Sequence, residues 1–361
     1  MPRPRLRDLG VTIGAYPPGE HNAITDVPGV RVGHKTLIYD EPRVARTGVT
    51  IVMPGEGAIW HDNAFAGYHS LNGCGEMTGL PLIEEFGLLT SPIAITNTNQ
   101  VGLAHEAIVR YGAGKHGGFA WKLPVSAETY DGWLNDIDAF HLTHQHVFEA
   151  IESAAGGPVA EGNVGGGTGM ICHDFKGGVG TSSRLVETPS GRYTVGALVQ
   201  ANHGDRDLFR VDGVPVGREI DARHTPTPWP EPPKGGSIIV VIATDAPLLA
   251  VQCKRLARRA TIGLARVGSV AHNGSGDIFL AFATGNRVPA DAKAALELRM
   301  LPHRDLNCFF EAVAEAVEES ILNALCAAET MTGYKGRTVH ALPLDELQRV
   351  MAKHRAGSRQ A

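Results

Sequence analysis

Eight residues, Ser237-Ile238-Ile239-Val240-Val241-Ile242-Ala243-Thr244, constrain the fold of this chain more than any other stretch. They are dense in β-branched side chains and form an apolar run, so they predict a buried strand. Five prolines stand between Arg223 and Pro233 just upstream. Proline fixes φ and removes a donor, so that segment can be neither helix nor central strand and is expected to be an extended, exposed connector. Gly235 and Gly236 join the two parts and allow backbone conformations that a side chain would forbid. A hydroxyl placed directly after them, on Ser237, can attack its own preceding carbonyl. Cleavage there would free the α-amine of Ser237, whose ordinary pKa near neutrality suits it to act as base for its own hydroxyl. The same residues also describe a flexible lead-in to a strand.

With 361 residues the chain can bury a large core as one domain or two. Its glycines, 44 of 361, are well above the usual share of about 7% and lack a three-residue period, which argues for many tight turns and close backbone approaches. A formal net charge of −5 disfavours nucleic acid and anionic membrane as partners, since neither would meet a basic field. The five cysteines are odd in number, widely spaced and without a CxxC pair, which reads as a reduced, cytoplasmic protein with no structural zinc. The basic N-terminus lacks the apolar core of a signal peptide, and no window is long and apolar enough for a membrane span.

Along the chain, short strands are expected at 11–13, 30–32, 36–39 and 48–53, divided by turns such as Pro28-Gly29. A strand at 93–99 begins with alternation and ends wholly polar, which suits a strand emerging into a cleft. Helices are expected at 101–109 and 143–155, the latter capped by Thr143. The glycine-rich stretch 162–170 lacks the Gly-Lys-Ser/Thr ending of a phosphate loop, so close backbone packing at a pocket edge is the better reading. A buried strand at 194–200 leads to Asn202. After the central strand come a cationic amphipathic helix near 247–264, a strand at 277–283 and a long helix at about 306–328 with one buried face. A polar, frayed tail is expected from Pro343. Strands and helices before and after the proline-rich arm fit one layered α/β or α+β domain.

Several polar groups stand beside structural breaks. Ser275 and Asp277, in Asn273-Gly274-Ser275-Gly276-Asp277, can both reach a site at the start of their strand. An Asp–Ser–Ser relay would orient hydroxyls and tune a new N-terminal amine. Asn202 offers an amide to a developing oxyanion. Glu128 can bind a substrate ammonium, and Tyr130 can donate to a reacting group. Each motif also has a plain structural reading as a turn or packing residue. The sixteen histidines show no metal spacing next to acids; His141, His144 and His146 cluster on a helix start, so no metal and no cofactor are expected.

Taken together these stretches resemble the DmpA/BapA-type peptidases, the L-aminopeptidase/D-esterase and β-peptidyl aminopeptidase family. The matching stretches are Gly10-Val11-Thr12-Ile13-Gly14, residues 22–34, Arg46-Thr47-Gly48-Val49-Thr50, residues 124–132, Gly235-Gly236-Ser237-Ile238-Ile239-Val240 and Gly274-Ser275-Gly276-Asp277. The resemblance implies an αββα sandwich like that of N-terminal-nucleophile hydrolases but with its own connectivity. It implies one domain, 1–361, that cuts itself between Gly236 and Ser237 into chains 1–236 and 237–361 and assembles as a tetramer of such pairs. It further implies Ser237 as nucleophile, Ser275 and Asp277 as its assistants, Asn202 at the oxyanion, Tyr130 at the reacting centre and Glu128 on the free amine of a small peptide, amide or ester. Some β-peptide-cleaving members carry Glu, one methylene longer, at the position of Asp277. Two rivals remain: acyl transfer of the ornithine-acetyltransferase type, which usually uses threonine at the cleavage site, and an uncleaved, inactive amine-binding protein of the same fold.

Overall fold

The apolar run lies inside a six-stranded sheet, with a strand bonded to each of its edges. The computed structural model describes residues 3–55, 59–115, 123–229 and 235–358. In chain order the strands are β1 (Arg31–Tyr39), β2 (Ala45–Met53), β3 (Asp62–Gly73), β4 (Leu88–Leu89), β5 (Ile93–Asn97), β6 (Val125–Thr129), β7 (Ile171–Cys172), β8 (Phe175–Lys176), β9 (Gly178–Thr188), β10 (Gly191–Asn202), β11 (Gly235–Thr244), β12 (Gly274–Pro289), β13 (Met331–Thr332) and β14 (Thr338–Val339). The α-helices are α1 (Leu80–Phe86), α2 (Val101–Lys115), α3 (His144–Glu152), α4 (Val216–Glu219), α5 (Ala250–Ala257), α6 (Ala260–Arg266), α7 (Asn307–Ala327) and α8 (Leu344–Ser358).

One sheet has the order β1-β2-β5-β6 and the other β4-β3-β12-β11-β10-β9. Strand β11 pairs antiparallel with β10 and parallel with β12. Its side chains alternate between two cores. Ile238, Val240 and Ile242 pack with α5, α6 and α7, whereas Ile239, Val241 and Ala243 pack against residues of β2 and β5 from the other sheet. A strand covered on both faces must be apolar throughout, which explains why the run shows no polar alternation. Each of these fully buried Ile and Val side chains contributes about 1.5–3 kcal/mol of burial. Helices α2 and α3 cover the four-stranded sheet and α5–α7 the six-stranded one, giving the expected αββα layers.

Several local expectations change. Residues 11–13 form no strand, although Val11 and Ile13 are buried in the outer core. The two strands expected at 30–32 and 36–39 are one, β1. The cationic helix is two short helices, α5 and α6, broken at Arg258-Arg259. Its charges are used locally, Lys254 on Glu84 at 2.7 Å and Arg259 over the Phe310 ring at 3.9 Å. Among the described residues the tail is not frayed: α8 buries Leu347, Val350 and Met351, an i, i+3, i+4 stripe that holds it to the core. Helix α7 buries far more than one face, and Glu315, Glu318 and Glu319 go inside with it.

In the glycine-rich stretch, Gly165–Gly167 form a buried turn between the sheets. A Cβ on Gly166 would come within 2.1 Å of Gln200 Oε1 and 2.5 Å of the Ile95 carbonyl, so the close packing is real but lies away from the main cavity. In the proline-rich arm, residues 230–234 lie outside the described residues. The part before them is not simply exposed, because Thr225 is buried and Trp229 packs edge-on against Trp133 with ring centroids 5.3 Å apart.

Candidate active site

The site forms where β11 begins, beside the end of β10 and the end of β6. Gly236 has φ +139°, and a Cβ there would meet the Asn202 carbonyl oxygen at 2.6 Å and His203 Cα at 2.9 Å. Only glycine fits that approach without a backbone shift. The next residue, Ser237, is 5% exposed, and its Oγ donates to the Gly236 carbonyl oxygen at 2.6 Å. The hydroxyl is thus held against the peptide group that precedes it.

The sheet register sets the neighbours. Asn202 pairs with Ser237 across the β10–β11 ladder. Its Oδ1 accepts the Ile171 N–H at 2.8 Å, and its Nδ2 donates to the Tyr130 carbonyl at 3.1 Å. A side-chain amide has two N–H donors, so a second remains to serve an oxyanion. On the other side, Gly236 pairs with Ser275 and Ile238 with Asp277. Ser275 Oγ donates to Asp277 Oδ1 at 2.8 Å, and the Asp277 N–H donates to Asn72 Oδ1 at 3.0 Å. Burial raises the Asp277 pKa, and the bonds from Ser275 and Asn72 only partly offset it.

Glu128 ends up buried, 4% exposed, near the end of β6. Its Oε1 accepts the Glu76 N–H at 2.9 Å and its Oε2 accepts the Thr98 hydroxyl. Burial raises its pKa, opposed by those two bonds. Among the described residues no salt bridge reaches it. A desolvated carboxylate without a cation provides a strong site for an ammonium group.

These groups line one cavity of about 810 Å³, bounded by Glu128, Thr98, Tyr130, Asn202, Gly236 and Ser237 on its polar side and by Trp133, Ile171 and Trp229 on its apolar side. Tyr130 is 54% exposed at the rim. Of the residues singled out in the sequence, Ser237, Asn202, Tyr130 and Glu128 converge on the cavity. Ser275 and Asp277 are on the adjoining strand, do not line it and make no hydrogen bond to the Ser237 hydroxyl. Sequence reasoning missed Thr98, Trp133 and Trp229. For Thr98 the signal was present, in the polar end of a strand expected to emerge into a cleft. Trp133 follows closely on Tyr130, and only the fold brings Trp229 across from the proline-rich arm.

Residues 22–339 match the profile of Peptidase family S58. The chain is 47% identical to the beta-peptidyl aminopeptidase BapA of Sphingosinicella microcystinivorans, over 98% of this chain and 93% of that protein. It superposes on a beta-aminopeptidase of Burkholderia sp. with TM-score 0.91 and 50% identity, covering 97% of this chain and 99% of that one. The L-aminopeptidase D-Ala-esterase/amidase of Ochrobactrum anthropi, described as a prototype for the serine aminopeptidases and a new variant of the Ntn hydrolase fold, superposes with TM-score 0.91 at 45% identity, covering 98% and 99% of the two chains. With matches that span nearly its whole length, the chain belongs to peptidase family S58 and is an aminopeptidase, a hydrolase built on a variant of the Ntn hydrolase fold.

Proposed function

We propose that the chain, one domain over 1–361, cuts itself between Gly236 and Ser237 into chains 1–236 and 237–361, and that the mature enzyme releases N-terminal residues through an acyl-enzyme on Ser237. The observation that carries this reading is the 2.6 Å contact from Ser237 Oγ to the Gly236 carbonyl oxygen. In the first reaction Oγ attacks the Gly236 carbonyl carbon. As the C–N bond breaks, the hydroxyl proton passes to the Ser237 nitrogen, leaving an ester. Water then hydrolyses the ester to a Gly236 carboxylate and a free Ser237 amine.

In turnover, that amine takes the Ser237 hydroxyl proton as Oγ attacks the substrate carbonyl and returns it to the leaving amine or alcohol; water then attacks the resulting ester, releasing the N-terminal residue as its carboxylate and restoring the Ser237 hydroxyl. Asn202 donates to the tetrahedral oxyanion, a contribution of about 3 kcal/mol at comparable sites. Glu128 holds the substrate ammonium and so selects peptides, amides or esters with a free N-terminus. Tyr130 lines the reacting centre. Cleavage frees Ser237 from Gly236, the ladder partner of Ser275, and the Ser275 hydroxyl, held by Asp277, then positions the new amine.

The relatives' names extend the substrate range to β-peptides, D-alanyl esters and amides. The cleaved units assemble as a tetramer in this reading, and Val251 and Ile262, exposed on α5 and α6, offer apolar surface for a subunit contact; the protein acts in the cytoplasm, and five unpaired cysteines suit such a reducing setting.

A denaturing gel tests the proposal. The unaltered protein is expected to give two bands, and a single band persisting at 38.3 kDa sinks self-cleavage. Ser237→Ala is expected to stay uncut and to lose on the order of 10⁴-fold or more in kcat/KM. Full activity in that variant would show that another residue is the nucleophile.

A further inference from the structure

The hairpin β7–β8 brings together three metal-ligating side chains that the proposed hydrolytic mechanism does not use. Cys172 closes β7, and His173-Asp174 make a tight turn with φ of 48° and 60° before β8. Left-handed backbone at two successive non-glycine residues is costly, so the surrounding structure must hold it. The His173 N–H donates to the His203 carbonyl at 2.7 Å, docking the hairpin on the segment that follows β10. All three residues are buried.

We propose that Cys172, His173 and His203 form a site for one zinc-class divalent ion, reached through the substrate cavity. One sulfur and two imidazole ligand atoms lie within 4.8 Å of one another. Cys172 Sγ is 3.7 Å from His203 Nε2. A tetrahedral zinc with ordinary Zn–S and Zn–N bonds spaces such a pair about 3.6 Å apart. The tautomer of His173 is also set: its Nδ1 lies 3.0 Å from the Asp205 carbonyl oxygen and must donate to it. Its Nε2 therefore presents a lone pair, and that atom is buried without a hydrogen-bond partner. A backbone carbonyl behind a ligating imidazole is the usual arrangement at zinc sites. Three protein ligands leave a fourth position open, and His203 and Gly204 line the cavity that also holds Ser237, which supplies the route in.

The surroundings restrain affinity. Lys176 is fully buried nearby, and the Arg206 guanidinium donates to the carbonyls of His173 and Asp174. Binding must therefore be driven by the thiolate: the ion displaces the Cys172 proton, which leaves to solvent, as a zinc–sulfur bond forms.

The test uses the whole protein, stripped with a chelator and titrated with cobalt(II) and zinc(II). One equivalent of cobalt per chain is expected, with a thiolate-to-cobalt charge-transfer band and one proton released. Cys74→Ser, which removes the exposed cavity thiol, should keep the band. Cys172→Ser should abolish it. His173→Gln should weaken zinc binding by more than the roughly 10- to 100-fold typical of losing an outer partner. A missing band in the unaltered protein, or one that survives in Cys172→Ser, overturns the site. Should the variants fail to fold, zinc-edge anomalous scattering from crystals of the unaltered protein decides: a peak among the three side chains supports the site, and no peak there overturns it.

Discussion

Glu128 and Glu319 are the same residue type at nearly the same depth, 4% and 0% exposed, yet they lie in opposite electrostatic settings. Glu319 on α7 accepts from Arg7 at 2.7 Å, Arg184 at 2.6 Å and Asn22 at 2.6 Å. Burial pushes its pKa up, but these partners outweigh burial and hold it below the ordinary value. Among the described residues, Glu128 accepts only from a hydroxyl and a backbone N–H, and burial leaves its pKa raised. A buried carboxylate whose partners belong to the protein ties elements together. One left short of a cation at a cavity wall is prepared for a cation from outside.

The comparison can be broken first at Arg184, which is fully buried and bonded to both Glu315 and Glu319. Arg184→Leu leaves two buried carboxylates short of compensation and should destabilise the protein by about 3–5 kcal/mol in urea unfolding. Activity per folded molecule should not change. A loss of activity without a loss of stability would mean that the α7 network serves the active site directly.

The converse substitution, Glu128→Gln, should leave the fold intact and weaken kcat/KM for free-amine substrates by roughly 10- to 100-fold, the worth of a charged hydrogen bond of about 1.5–3 kcal/mol. N-blocked ester analogues, which lack the ammonium, should be unaffected. An equal loss on both substrate types would place Glu128 in the scaffold or the chemistry rather than in amine recognition.

The smallest effect is in stability against pH. Because the folded pKa of Glu128 is raised, the unfolded state ionises first as pH rises above the ordinary 4.5, and stability present at lower pH is lost. Glu128→Gln removes that loss, so its Tm should exceed that of the unaltered protein at neutral pH by a few degrees and converge with it in acid. Glu319 has the opposite sign: its contribution is present above the ordinary value and is lost as pH falls through the lowered folded pKa. Glu319→Gln should therefore lie below the unaltered protein at neutral pH and approach it in acid. Parallel Tm curves for the two variants would remove the distinction drawn between the carboxylates.

The run at 237–244, the break before it and the polar ends of neighbouring strands were legible in the sequence because β-branching, proline and glycine act through local sterics. The packing surfaces of α7 and α8 were only partly so. Charged residues read as solvent-facing, and nothing local shows that Arg184, more than a hundred residues before α7, meets Glu315 and Glu319 inside. The α8 stripe was masked in the same way by its many polar neighbours.

What the sequence determined by itself was a buried strand that starts at a serine behind two glycines, with Glu128, Asn202 and the Ser275–Asp277 pair as candidate partners. The tertiary structure decided which of them share a cavity. Strand register set Asn202 opposite Ser237, and the ends of β6 and β10 brought Glu128 and Tyr130 to the same opening, while Ser275 and Asp277 lie outside its lining. It also decided that Trp133 meets Trp229 and that Cys172 meets His203. Those meetings depend on sheet order and sandwich packing between residues distant in sequence, and no local propensity encodes them.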